Sequence, residues 1–153
     1  MKVKLEEMSD FAEEFISKIE KTNTARVFGL SGNLGAGKTT FTQLVAKSLG
    51  VEDAITSPTF VIMKSYDLGD KRGPRQSEDD GMDFDKLIHI DAYRLESGKE
   101  LEVLGFEELT KDPKNLILLE WPEKVSEILP KEMTTIKFEV VDEETRDIDI
   151  EKN

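Results

Sequence analysis

The chain has 153 residues, enough for one sizeable core and too few for two. Its 33 Asp and Glu against 21 Lys and Arg give a formal charge of −12, which argues against DNA or RNA binding by the chain alone and against docking on an anionic membrane. Zero cysteines exclude disulfides, a thiolate nucleophile and a cysteine zinc site, and a single histidine excludes a multi-histidine metal centre.

In chain order, residues 3–5 read as a short strand, with Ser9 or Asp10 capping a helix that buries Phe11, Phe15, Ile16 and Ile19 on one face. Residues 25–30 are a short apolar run and read as a buried strand; 31–37 are glycine-rich. A helix follows over 39–49, with Phe41, Leu44, Val45 and Leu49 at helical spacing and Gly50 as its stop. Residues 59–66 and 87–90 read as strands, and 100–109 as one or two short helices broken at Gly105. The run at 116–119 is apolar without interruption, as a central strand covered on both faces requires. Pro122 opens a short helix ending near Leu129, and 135–141 with 145–150 alternate around Asp142, Glu143 and Glu144 as a C-terminal antiparallel hairpin.

Strands alternating with helices predict an α/β fold with a largely parallel central sheet, laid out as one domain over residues 1–153. Within it, 67–85 is a polar stretch whose large apolar residues are Leu68, Met82 and Phe84; it reads as a mobile inserted loop. No apolar run is long enough to span a bilayer and the N-terminus lacks a signal-peptide pattern, so the expectation is a cytoplasmic protein.

Gly32, Asn33, Leu34, Gly35, Ala36, Gly37, Lys38 and Thr39 match G-x-x-x-x-G-K-[ST] in full. Each residue type has its own reason. Glycines let the backbone curl so that successive N–H groups face phosphate oxygens. Lys38 brings a point charge to the β- and γ-phosphates, the Thr39 hydroxyl ligates Mg²⁺, and the helix that follows, through Thr40, adds the positive end of its dipole. The expected fold is thus a P-loop NTPase-like three-layer sandwich.

Such a site needs a carboxylate on the metal and a group to orient or deprotonate the attacking water, typically at the ends of apolar strands. Asp91 ends one strand and Glu120 another; solvated strand termini are the plain alternative for both. Thr59, in Thr56-Ser57-Pro58-Thr59, is placed where a loop senses the γ-phosphate, and an ordinary turn is equally compatible. Trp121 follows Glu120 and packs on a ligand or in a core. His89 shares a sheet face with Asp91, and a hydrogen-bonded strand residue is its favoured role. Arg146 opens the last strand as a cross-strand partner or a base-stacking group. The chain has no N-K-x-D segment for reading guanine, which favours ATP. A small-molecule kinase is the main rival, with Arg72 and Arg75 on the 67–85 stretch as lid candidates.

The set Gly32 to Thr40, Ser57-Pro58-Thr59-Phe60, His89-Ile90-Asp91-Ala92-Tyr93-Arg94-Leu95 and Leu119-Glu120-Trp121-Pro122-Glu123 resembles the TsaE (YjeE) family, over nearly the whole chain. The H-x-D-x-Y-R-L and E-W-P-E strings are far more specific than the glycine loop. The resemblance implies an ATPase, weak in isolation, that uses ATP and Mg²⁺ and works with TsaD and TsaB. Together these install threonylcarbamoyl on adenosine 37 of tRNAs reading codons that begin with A. It implies Thr39 and Glu120 as metal ligands, Asp91 as the essential acid near the γ-phosphate and Thr59 in the first switch. Trp121 would then lie beside the active site and Arg146 near the base. Asn33 stands where many members carry Asp, and the 67–85 insertion has no counterpart in the family's usual short loop.

The charge also has a distribution. Residues 31–60 are neutral, while positions after 90 carry nine of the twelve net negative charges. That pattern predicts contact with basic protein surfaces, with tRNA met only indirectly. A binding module that uses ATP for assembly, without required hydrolysis, is the remaining alternative.

Overall fold

The structure is a computed structural model and describes residues 1–20, 22–51, 62–68 and 84–152. Seven strands form one sheet: β1 (Lys2–Lys4), β2 (Arg26–Ser31), β3 (Met63–Asp67), β4 (Lys86–Asp91), β5 (Asn115–Glu120), β6 (Thr134–Val140) and β7 (Thr145–Lys152). Their order is β1-β7-β6-β2-β5-β4-β3. The four central strands β6, β2, β5 and β4 are mutually parallel; β7 and β3 run the other way, and β1 pairs antiparallel with β7. The sheet is therefore mostly parallel, with its reversals at the two margins.

The interior strands are the most apolar. Every residue of β5 is buried, including Asn115 and Glu120 at its ends. Leu116 and Leu118 face one side while Ile117 and Leu119 face the other, the period-two alternation of a doubly covered strand.

On the first face lie α1 (Met8–Ser17) and α2 (Lys38–Ser48). Phe11 and Phe15 from α1 meet Phe41 from α2 at ring centroid distances of 5.8 and 5.2 Å, and Phe138 from β6 reaches Phe41 at 5.5 Å. The second face is covered by α3 (Gly98–Val103), α4 (Phe106–Lys111) and a 3-10 segment, Pro122–Ile128, kinked at Val125. Leu101, Phe106 and Val125 pack there against Ile88, Ile90, Ile117 and Leu119.

Several expected boundaries move. The first helix begins at Met8 after a 3-10 turn, Leu5–Glu7, so Ser9 and Asp10 lie inside it and not at its cap. The Glu7 carboxylate accepts the Lys4 N–H at 3.0 Å, so a glutamate rather than a serine or aspartate supplies the side-chain acceptor at this start. The helical stretch expected over 100–109 is two helices parted at Gly105, whose φ of +88° suits glycine.

Of the strand expected over 59–66, the part up to residue 61 lies outside the described residues. So does 69–83, most of the stretch read as a mobile loop. The described ends of that stretch are fixed: Leu68 and Phe84 are buried in the first core, and Leu68 N–H donates to Asp85 O at 2.8 Å. The two apolar residues close the core where the polar composition suggested solvent.

This topology positions the site. Parallel pairing brings the carboxyl ends of β2, β5 and β4 to one edge, with Leu30 opposite Glu120 and Glu120 opposite Asp91.

Candidate functional site

The site starts where β2 ends. Residues 32–37 curl between β2 and α2, and glycine is required at three of them. Gly32 has φ +150°, and a Cβ there would meet the Phe138 carbonyl oxygen of β6 at 2.5 Å. Gly35 and Gly37 have φ +80° and +110°, the left-handed region. Ala36 N–H donates to Asn33 O at 3.0 Å and closes the turn. Asn33, Leu34 and Thr40 are exposed, whereas the Ala36 side chain is buried. Arg146 braces the loop from β7: its Nε donates to Ala36 O at 3.1 Å, and the guanidinium also donates to the carbonyls of Asp142 and Thr145 at 2.9 and 3.2 Å. Arg146 is thus tied to the backbone of the glycine loop as well as to its own hairpin.

Lys38, Thr39 and Thr40 form the first turn of α2, whose N–H groups lack intrahelical acceptors and point toward any anion in the loop. The Lys38 ammonium donates to the carbonyls of Gly32 and Asn33 and lies 4.2 Å from the centroid of the Trp121 ring. Burial holds its pKa below the ordinary lysine value, against the opposing pull of the Glu120, Glu123 and Asp91 carboxylates.

Glu120 is 2% exposed, and a carboxylate so buried requires donors. It has two: Thr39 Oγ1 donates to Oε1 at 3.1 Å and approaches Oε2 at 3.3 Å, and His89 Nε2 lies 2.5 Å from Oε2. Asp91 is the register partner of Glu120 on the neighbouring strand and lies on the same face. Its Oδ1 accepts the Tyr93 N–H at 3.0 Å. Burial pushes the Asp91 carboxyl above its ordinary value; the negative charge of Glu120 adds to this, and the Tyr93 N–H and Lys38 oppose it. Among the described residues no three His, Cys, Asp or Glu side chains converge as a metal cage. What the site offers is a pair of hard oxygen donors, Thr39 Oγ1 and Glu120, suited to a cation that completes its shell from water and a ligand.

Trp121 is the one non-glycine residue among those described with positive φ, +62°. That conformation costs of order 1–3 kcal/mol. Its N–H donates to Leu30 O at 3.1 Å, and its ring sits 5.1 Å from that of Tyr93. The strained turn sets the indole between the Lys38 ammonium and the Tyr93 ring.

Of the residues singled out in the sequence, Lys38, Thr39, Asp91, Glu120 and Trp121 come together, with Arg146 behind the loop. Thr59, Arg72 and Arg75 lie outside the described residues. His89 and Tyr93 enter the site more closely than the sequence suggested. The available signal for His89 was its two-residue spacing from Asp91, but the partner depended on the β4–β5 register.

Comparison with known proteins identifies the family and the fold. The family description "Threonylcarbamoyl adenosine biosynthesis protein TsaE" matches residues 3–148. The tRNA threonylcarbamoyladenosine biosynthesis protein TsaE of Borreliella burgdorferi is 35% identical over 117 residues, covering 76% of this chain and 74% of the relative. Its namesake in Streptomyces coelicolor is 45% identical over 102 residues, 65% of this chain and 59% of the relative. The crystal structure of Bacillus subtilis YdiB superposes with a TM-score of 0.68 at 28% identity, covering 97% of this chain and 82% of that one. With a profile match spanning nearly its whole length, a glycine loop facing two acidic strand ends and a fold shared with YdiB, the chain belongs to the TsaE family.

Proposed function

We propose that this chain is a Mg²⁺-dependent, ATP-binding and ATP-hydrolysing subunit of the machinery that forms threonylcarbamoyladenosine at position 37 of tRNAs reading codons that begin with A. The observation that carries the reading is the convergence, at one edge of a mostly parallel sheet, of a complete glycine loop, Lys38 and the Thr39–Glu120 pair at 3.1 Å.

Each residue has a role that follows from its setting. The loop and the first turn of α2 offer N–H donors to the phosphates. Lys38 exchanges the carbonyls of Gly32 and Asn33 for phosphate oxygens, keeping charge-assisted bonds throughout. The donor set fits Mg²⁺: Thr39 Oγ1 and Glu120 would hold it, with the remaining positions left to water and phosphate. When bound, the ion neutralises charge on the β- and γ-phosphates. Asp91 lies beside Glu120, and burial raises its pKa above the ordinary aspartate value, which suits it to orient the attacking water and accept its proton. Trp121 walls the site next to Lys38.

The charge of −12 supports a division of labour in which TsaD and TsaB carry the tRNA and hydrolysis here resets the complex. Isolated turnover is then weak, because partner contacts complete the site. The test follows γ-labelled ATP, with and without TsaD and TsaB. Free labelled phosphate, increased by the partners, is expected. Label on a small acceptor would instead establish a kinase. Threonylcarbamoyl transfer that continues through many turnovers with a non-hydrolysable analogue would reduce the chain to an assembly module.

A further inference from the structure

His89 was the residue least assigned by sequence and is among the most constrained in the site. It sits on β4 opposite Leu118 of β5 and Lys64 of β3, is 1% exposed, and its Nε2 lies 2.5 Å from Glu120 Oε2. Because a carboxylate only accepts, Nε2–H is the donor, in either the neutral Nε2–H tautomer or the imidazolium.

Thr39 alone does not orient Glu120, since its hydroxyl is 3.1 Å from one carboxylate oxygen and 3.3 Å from the other. His89 engages Oε2 only. We propose that His89 is a positioning residue: it pins Oε2 of Glu120 and thereby presents Oε1, beside Thr39, as the oxygen that meets a divalent cation. The inference rests on the nucleotide-site reading above and deepens it, by assigning the group that orders the metal ligand. Outer-shell donors of this kind typically change metal affinity by about 10–100-fold when removed.

The chain's single histidine and single tryptophan make both reporters unambiguous. In metal-free protein at one fixed pH, the imidazole ¹H–¹⁵N signals of wild type are expected to report a protected Nε2–H that is lost or shifted in Glu120→Ala. Imidazole signals unchanged by that substitution would overturn the proposal. Trp121 fluorescence then follows ATP binding with EDTA and along a Mg²⁺ titration. With EDTA, wild type, His89→Leu and His89→Gln are expected to bind ATP alike. The Mg²⁺ concentration that half-saturates the tightening rises about 10–100-fold in His89→Leu and returns to within about threefold of wild type in His89→Gln, whose amide restores the donor. His89→Leu matching wild type along the Mg²⁺ titration would overturn the positioning role while leaving the nucleotide site standing. Wild type that gives no response to ATP at all would overturn the nucleotide reading itself, and the imidazole spectra would still decide whether His89 orders Glu120. If His89→Leu does not fold, those spectra and His89→Gln carry the test.

Discussion

At the scale of single residues, the site holds two carboxylates in unlike settings. Glu120 is buried, with donors on both oxygens, whereas Asp91 is only partly buried and has a pKa raised by burial. An acid whose folded pKa exceeds its unfolded one costs stability when ionised, and the cost disappears as pH falls through the folded value toward the ordinary 3.8. Asp91→Asn is therefore expected to raise the melting temperature at pH 7 by about 1–3 °C, a small gain because solvent screens a partly exposed group, and to match wild type near pH 3. The same substitution should abolish ATP turnover. Melting curves at the two pH values, beside a phosphate-release assay, check both halves; an unchanged or lowered melting temperature at pH 7 would contradict the electrostatic account. Lys38, Thr39, Asp91 and Glu120 were legible in the sequence because motif and strand-end position are local properties. The His89–Glu120 contact was not, since it joins residues 31 apart through a strand register that no local pattern specifies.

At the scale of elements, the glycine loop is shaped by its neighbours as much as by its own sequence. Phe138 of β6 presents a carbonyl where a Gly32 side chain would stand, and Arg146 of β7 holds Ala36 from 110 residues away. Gly32→Ala is expected to destabilise the protein by about 2–4 kcal/mol, since the clash is with backbone and the φ is unfavourable for an L side chain. Denaturant unfolding measures this, and a loss below about 0.5 kcal/mol would contradict it. Arg146→Ala should leave the fold intact but weaken ATP binding about 3- to 10-fold by releasing the loop, read by titration calorimetry as a less favourable entropy. A full retention of affinity would show that the brace is dispensable. The apolar run of β5 could be read as a central strand, whereas the loop's support by β6 and β7 could not. Leu68 and Phe84 make the same point: flanked by a polar stretch they read as loop, but the first core needs their volume and buries them.

At the scale of the whole molecule, acidity and fold are compatible with a protein working on RNA only through others. No helix among the described residues is long and apolar enough to cross a membrane. A net charge of −12, neutral only around the glycine loop, predicts no measurable binding of unmodified tRNA by the isolated chain at 0.15 M salt, checked by gel shift. Sub-micromolar binding would contradict the division of labour proposed here. The central claim is that the edge joining β2, β4 and β5 hydrolyses ATP through Lys38 and Glu120. The most direct measurement is steady-state phosphate release from MgATP in the presence of TsaD and TsaB, for wild type, Lys38→Ala and Glu120→Ala. Each substitution is expected to lower turnover at least about 100-fold while preserving the circular dichroism spectrum. Undiminished turnover in both variants would contradict the assignment of this site.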